Sequence, residues 1–342
     1  MKNKKKLALI ISPIVVILGI MAVLFFGKTD YYLEMPGDVY TVSSMIKGKK
    51  IPNNLGMVTV EMTSEPATYG QYLLSYFNQF TDRVSAKEML EGQTSEQYEE
   101  LQNWYMQTSE QTALYVAAKY SKKPTKLNYN GVYVMSVQKS STFYGKLHLA
   151  DTIVAVNGHH FKSTEEMTTY LGKLPLGQKV VLDILRNGKE KKLSGKIVKI
   201  ESTKRHGIGI SMVERLSVET KPKLKIAAGD IGGPSAGLMF TLGAYQAFTG
   251  KNLTNGQFIA GTGTIEKDGT VGMIGGVDKK VVAASRVGAK IFFAPTDHRG
   301  IKASESNYAV AKATAKKIGT KMKIVPVANF KDALTYLQKH FK

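Results

Sequence analysis

The chain has 342 residues and no cysteine. That removes disulfides, thiol nucleophiles and thiolate metal sites together. It leaves the compartment open, because a large core stabilises a protein without cross-links. Zinc-protease spacing is missing too: the six histidines (His148, His159, His160, His206, His298, His340) never form HExxH. The pair His159-His160 follows an Asn-Gly turn, so its side chains should diverge, and no metal site is expected. There is no GxSxG and no paired-carboxylate pattern. "GKLPLGQKV" has the glycines of a phosphate loop without the Lys-Ser/Thr ending, and reads as a turn between helix and strand. Acidic residues are scarce, 27 against 47 Lys and Arg, for a formal charge of +20. A basic surface suits nucleic acid, anionic lipid or anionic wall polymers. The lysines are scattered and accompany no helix-turn-helix, zinc-finger or RNA-binding signature, so nucleic acid is not an expected partner.

Long hydrophobic runs are also absent, with one exception. "MKNKKK" is followed by "LALIISPIVVILGIMAVLFFG", an uncharged run from Leu7 to Gly27. Its 21 residues, at the helical rise, give about 30 Å, a bilayer core. The lysines before it place the N-terminus in the cytoplasm by the positive-inside rule. "FFGKTDYY" offers no good cleavage site, so an uncleaved anchor over residues 1–27 is expected, with the rest of the chain across the membrane.

At 43% apolar residues, a chain of this length has enough core for two folded units. "YYLEMPGDVYTVSSMI" should break into short strands at Pro36-Gly37, and "LGMVTVEMT" reads as a strand. Residues 69–120 are helical in pattern, with capping-box spacing at Thr94 and Gln97. "SKKPTKLNYN" reads as a linker. From Gly131 to Ile200 the texture changes: the strand "GVYVMSV", then "YGKLHLADTIVAVNG" as a short helix, turn and strand. A helix capped by Ser163 and Glu166 follows, then a hairpin turning at Asn187-Gly188. From Gly207 onward strands and helices alternate, as in an α/β domain.

Within that last part, "AAGDIGGPSAGLMF" sets two glycines and a proline before Ser235 and an apolar helix after it. Apolar residues fall on more than one face of that helix, so it should be buried. Its free N-terminal amides could stabilise an oxyanion beside a serine nucleophile. From pattern alone, a serine that merely caps the helix is the commoner reading. A nucleophile would need a base, and without cysteine or a convincing histidine that base is a lysine kept neutral by desolvation. "GTVGMIGGVDKKVVAASRVGAK" offers lysines on a helix with Val281, Val282, Ala284 and Val287 as packing residues.

"GGPSAG", "AGTGTI" and "GGVDKK", in that order and spacing, resemble the proteolytic domain of the Lon family over roughly Gly207 to Leu337. The resemblance implies Ser235 as nucleophile and Lys280, not Lys279, as general base. It puts Thr262 beside the lysine as its orienting group. Backbone amides at Gly233, Ser235 and Ala236 would then hold the oxyanion, Pro234 having no N–H to give. Where ATP-dependent members of that family often carry an acidic residue two before the proline, this chain has Gly232.

Residues from Gly131 to Ile200 resemble a PDZ domain of the bacterial protease type, a fold that binds extended peptides at a sheet edge. "QKSSTFYG" departs from its usual small, proline-containing turn. Anchor, PDZ and Lon-like parts together are similar to membrane-anchored, pheromone-processing peptidases of Gram-positive bacteria. The fold class implied is α/β (α+β): a Lon-type proteolytic domain with an inserted PDZ domain and an N-terminal transmembrane helix. The boundaries would be an anchor over 1–27, the first protease part over 28–125, PDZ over 126–200 and the catalytic part over 201–342. The expected activity is that of an extracytoplasmic, ATP-independent serine endopeptidase, needing no cofactor. Its substrates would be peptides or flexible protein segments, secreted signalling peptides among them. Assembly into oligomers stays open. A membrane-tethered, catalytically inactive peptide-binding adaptor is the alternative, and a basic wall-polymer binder a third reading that uses only the charge.

Overall fold

The structure is a computed structural model. It describes residues 2–200 and 204–341, with side chains from residue 14 onward. The chain opens with helix α1 (Lys2–Phe26), followed by strands β1 (Tyr31–Thr41) and β2 (Leu55–Met62), helix α2 (Tyr69–Ser75) and strand β3 (Asp82–Ser85). The long helix α3 (Ser95–Tyr120) starts at the expected cap: Thr94 accepts from the Gln97 amide, and the Gln97 side chain accepts from the Thr94 amide. Strands β4 (Thr125–Val137) and β5 (Thr152–Val156) lead to helix α4 (Thr164–Lys173). Ser163 caps α4 through the Glu166 amide at 3.1 Å, but the Glu166 carboxylate accepts from Lys162 N–H rather than from Ser163.

Strands β6 (Lys179–Arg186) and β7 (Lys189–Lys196) form the expected hairpin. Asn187 and Gly188, at φ 51° and 74°, supply the two left-handed residues that such a tight turn requires. Strand β8 (Ile210–Thr220) follows, then helix α5 (Gly237–Thr249), strand β9 (Ile259–Gly261), helix α6 (Val277–Arg286), strand β10 (Ile291–Pro295), helix α7 (Asn307–Lys317), strand β11 (Lys323–Val327) and helix α8 (Phe330–His340).

These strands build two principal sheets. One has six strands in the order β11-β10-β9-β2-β1-β3, parallel from β11 to β2 and antiparallel at β1 and β3. The other has five antiparallel strands in the order β8-β4-β5-β6-β7. The six-stranded sheet therefore takes β1–β3 from before the five-stranded unit and β9–β11 from after it. Side chains alternate across its faces. Ile291 and Phe293 of β10 pack with α5, α3 and α8, whereas Phe292 and Ala294 pack with α6 and α7. Helix α5 is buried all round from Gly237 to Phe248, as its largely apolar sequence requires, Thr241 and Gln246 being the polar exceptions.

Four local expectations change. Strand β3 interrupts the helical pattern of residues 69–120, and the stretch read as a linker enters strand β4 at Thr125. Pro36-Gly37 does not break the first strand: β1 continues through it with a register shift between Pro36 and Val39, a bulge that lets a proline sit inside a ladder. "YGKLHLADT" forms a run of turns instead of a short helix, with Gly145 and Ala150 at φ 74° and 69°. Helix α1 covers the apolar run, and its residues 14–26 are mostly exposed. Among the described residues, no helix is long and apolar enough to cross a membrane. The transmembrane anchor over residues 1–27 is thus not seen, and the side chains of its first half lie outside the described residues.

Candidate active site

Helix α5 begins at Gly237 with Ala236 in the cap position, and no side chain caps it. Ser235 is therefore not a capping serine. Its hydroxyl points to the other face of the sheet, where Oγ lies 2.7 Å from Nζ of Lys280. The loop that presents it is held from behind by α3. Gly233 N–H donates to the Gln102 carbonyl at 2.9 Å. Ser109 Oγ donates to the Pro234 carbonyl at 3.1 Å, and the Ala228 amide donates to Glu110 Oε1 at 2.7 Å. Gly233 has φ 88°, a conformation that L side chains rarely adopt. A side chain at 232 would bring its Cβ within 2.8 Å of the Gln102 Cβ, so the packing against α3 favours glycine there.

Lys280 sits in the first half of α6 and is 3% exposed. The same helix buries Val277, Val281 and Ala284, so its apolar face carries the lysine to the end of the sheet. Thr262, fully buried, directly follows β9, and its Oγ1 lies 3.3 Å from Lys280 Nζ. That hydroxyl donates its own proton to the Ser235 carbonyl at 3.1 Å. The Gly263 amide donates to the same carbonyl at 2.9 Å. So Ser235, Thr262 and Lys280 come together where helices from opposite faces meet, at the carboxyl end of β9. Burial pushes the Lys280 ammonium down to about 8, against the charge of Glu34, which acts the other way.

The geometry has a clear chemical reading. With its proton committed to the Ser235 carbonyl, the Thr262 hydroxyl offers Lys280 only an acceptor. A neutral Lys280 amine then donates one N–H to Thr262 and turns its lone pair to the Ser235 hydroxyl.

Lys279, the neighbouring residue, is 1% exposed and has opposite electrostatics. Its Nζ contacts Asp82 Oδ2, and reaches Glu34 Oε2 at 3.4 Å and Asp278 Oδ1 at 3.5 Å. Burial works to lower its pKa, but the hydrogen bond to Asp82 and the surrounding carboxylates hold it above the ordinary lysine value. Sequence reasoning missed this cluster. It also missed Gln102, which acts through its carbonyl, and Ser109 and Glu110, whose signal was polar residues placed on the buried stripe of α3 with Met106 and Ala113.

The expected oxyanion amides need one correction. Gly233 cannot contribute, because its left-handed turn aims the N–H at Gln102. Among the described residues, the amides of Ser235 and Ala236 have no acceptor. Ser235 and Lys280 line a cleft of about 450 Å³, walled by Tyr40, Met57, Thr59 and Glu61 and by Asp230–Gly232. Among the described residues no His, Asp and Glu side chains gather into a group that could hold a metal ion.

A second candidate site lies on the five-stranded sheet. A groove of about 820 Å³ runs between α4 and residues 206–212, lined by Thr168, Leu171, Ile208, Ile210 and Met212. Strand β8 is an edge strand there, so its outer main-chain groups are open to a further strand.

Two family models match parts of the chain. The PDZ domain family matches residues 92–197, and the Lon protease (S16) C-terminal proteolytic domain matches residues 223–338. The Lon protease of Metamycoplasma arthritidis (strain 158L3-1) is 36% identical over 105 residues, which are 31% of this chain and 11% of that protein. The chain thus spans about a tenth of the length of this curated relative. The PDZ domain of an SdrC-like protein from Listeria monocytogenes is 33% identical, covering 26% of this chain and 93% of that one with a TM-score of 0.25. Its counterpart from Listeria innocua is also 33% identical, over 24% and 92% of the two chains with a TM-score of 0.23. The chain thus carries one stretch similar to a PDZ domain and, after it, one similar to the Lon C-terminal proteolytic domain.

Proposed function

We propose that the chain is a membrane-anchored, extracytoplasmic, ATP-independent serine endopeptidase working through a Ser235–Lys280 dyad. The observation that carries this reading is the 2.7 Å contact between Ser235 Oγ and a buried lysine whose pKa is lowered to about 8. Ser235 Oγ attacks a peptide carbonyl carbon as its proton passes to Lys280 Nζ. The oxyanion is held by the Ser235 and Ala236 amides. The C–N bond breaks, and the Lys280 ammonium returns its proton to the leaving amine. Lys280 then takes a proton from water as it attacks the ester, which frees the new carboxyl end and restores the serine.

The PDZ groove would seat an extended peptide along β8. The route onward is lined: a cavity of about 620 Å³ between α3 and β8 includes Arg215, Leu216 and Ser217. It shares Met106, Asp230 and Ile231 with the catalytic cleft. The anchor rests on the apolar run from Leu7 to Gly27 and the lysines before it. Substrates are peptides or flexible segments, secreted signalling peptides among them.

The test incubates the full chain with a diverse peptide mixture and reads new termini by mass spectrometry, with Ser235→Ala alongside. Cuts made only by the unaltered protein support the peptidase. No cuts from either, with peptide still bound, favour a tethered adaptor.

A further inference from the structure

The two adjacent lysines of α6 are both buried, yet only one can serve as a base. Asp82 of β3 keeps Lys279 charged, and the second carboxylate beside it is Glu34 of β1. Its carboxylate is 17% exposed, it approaches the start of α6, and its charge favours a protonated Lys280. A Cβ at Gly276, the residue before α6, would come within 2.9 Å of Glu34 Oε1. Left unpaired, this carboxylate would be the natural partner of the Lys280 ammonium.

We propose that Lys279 is a positioning residue for the reaction: it is the fixed counter-ion of Glu34, and by holding that carboxylate it leaves Lys280 free to face Ser235 uncharged. This rests on the dyad reading above. The geometry fits the task. Lys279 bridges Glu34 to Asp82 of β3 and to Asp278 of its own helix, so its charge is satisfied three times over and cannot migrate. The remaining charged groups facing the site are Asp38 and Glu61 from β1 and β2, and Asp230 from the nucleophile loop. All three stand on the cleft wall, on the solvent side of Lys280, where water screens them. Glu34 is the carboxylate that acts on Lys280 from within the protein.

The roles of the two lysines therefore differ in kind. Lys279 stays protonated so that Lys280 need not. A glutamate neutralised by substitution and a lysine removed should move the base in opposite directions, which no purely structural role would do.

The experiment measures kcat/KM against pH for the full chain and four variants. With Lys279→Met, Glu34 faces Lys280 uncompensated, and the half-maximal pH should rise by about one unit, costing about tenfold at pH 7 and little at pH 10. Glu34→Gln should move it downward. Lys279→Met with Glu34→Gln should return it close to that of the unaltered protein. Lys279→Arg, which keeps the charge, should leave the midpoint in place.

A direct titration of the Lys280 side chain by NMR on lysine-labelled protein, its signal identified by loss in Lys280→Arg, reads the same quantity without turnover. Midpoints that stay fixed while the rates fall, or single variants that shift in the same direction, would overturn the proposal. Shifts of the expected signs in a protein that cuts no peptide would uphold the counter-ion and sink the peptidase reading instead.

Discussion

The two sheets of this protein solve opposite problems. The six-stranded sheet is covered on both faces, and its site depends on removing a lysine from water: Lys280 is 3% exposed between two helical layers. The five-stranded sheet keeps an open edge at β8, and its groove depends on main-chain groups that have no partner within the sheet. On the proposed reading, one site would gain reactivity by exclusion of solvent and the other recognition by leaving a strand unpaired. They should fail independently.

The largest effects should come from the covered sheet. Ser235→Ala and Lys280→Ala should each reduce kcat by at least about 10³-fold, while calorimetric affinity for a peptide bound in the groove stays unchanged. If either variant also abolishes peptide binding, the two sites are not separate. Next comes pH. A base with a pKa of about 8 is active only when unprotonated, so activity should climb through that pH. Below it the rate should fall about tenfold per unit, to roughly one-hundredth of maximum at pH 6. A rate that is flat between pH 6 and pH 9 would remove Lys280 from its role.

The open edge should respond more gently. Ile210→Asp places a charge in the groove and should weaken peptide binding by about 10- to 100-fold, measured by titration, with cleavage of short peptides that bypass the groove unaffected. The smallest effect sharpens the account of the nucleophile loop. Gly233→Ala forces a Cβ into a left-handed residue and should cost about 1–2 kcal/mol, seen as a lower melting temperature.

How much of this could be read from the chain follows the range of the interactions. Ser235, Thr262 and Lys280 are singled out by the resemblance of three short motifs, the local pattern alone favouring a capping serine. Their convergence came from resemblance, since residues 45 positions apart in sequence cannot be brought within 2.7 Å by any local pattern. The supports of the loop were not legible. Ser109 meets Pro234 across 125 positions, and Glu110 meets Ala228 across 118, so their meaning appears only once α3 lies against α5. Lys279 and Lys280 look alike in sequence. What separates them is β1 and β3, whose Glu34 and Asp82 form ion pairs with Lys279. The Gly233 amide was assigned to the oxyanion because its neighbours suggested it, and its positive φ decided otherwise.

The interleaving of the six-stranded sheet has a consequence for how the protein comes into being. Strand β2 stands at its centre between β1, made early, and β9, made some 200 residues later. Closing that gap carries a high contact-order cost, so the catalytic sheet should assemble late and slowly, after the five-stranded unit in between has had time to form from nearer neighbours. A nascent chain that has passed Ser235 still lacks Lys280, and a truncated one never acquires it. On the proposed reading, the order of synthesis would act as a safety catch: the nucleophile would exist for a time without its base, and cutting would begin only when the chain is whole enough to fold.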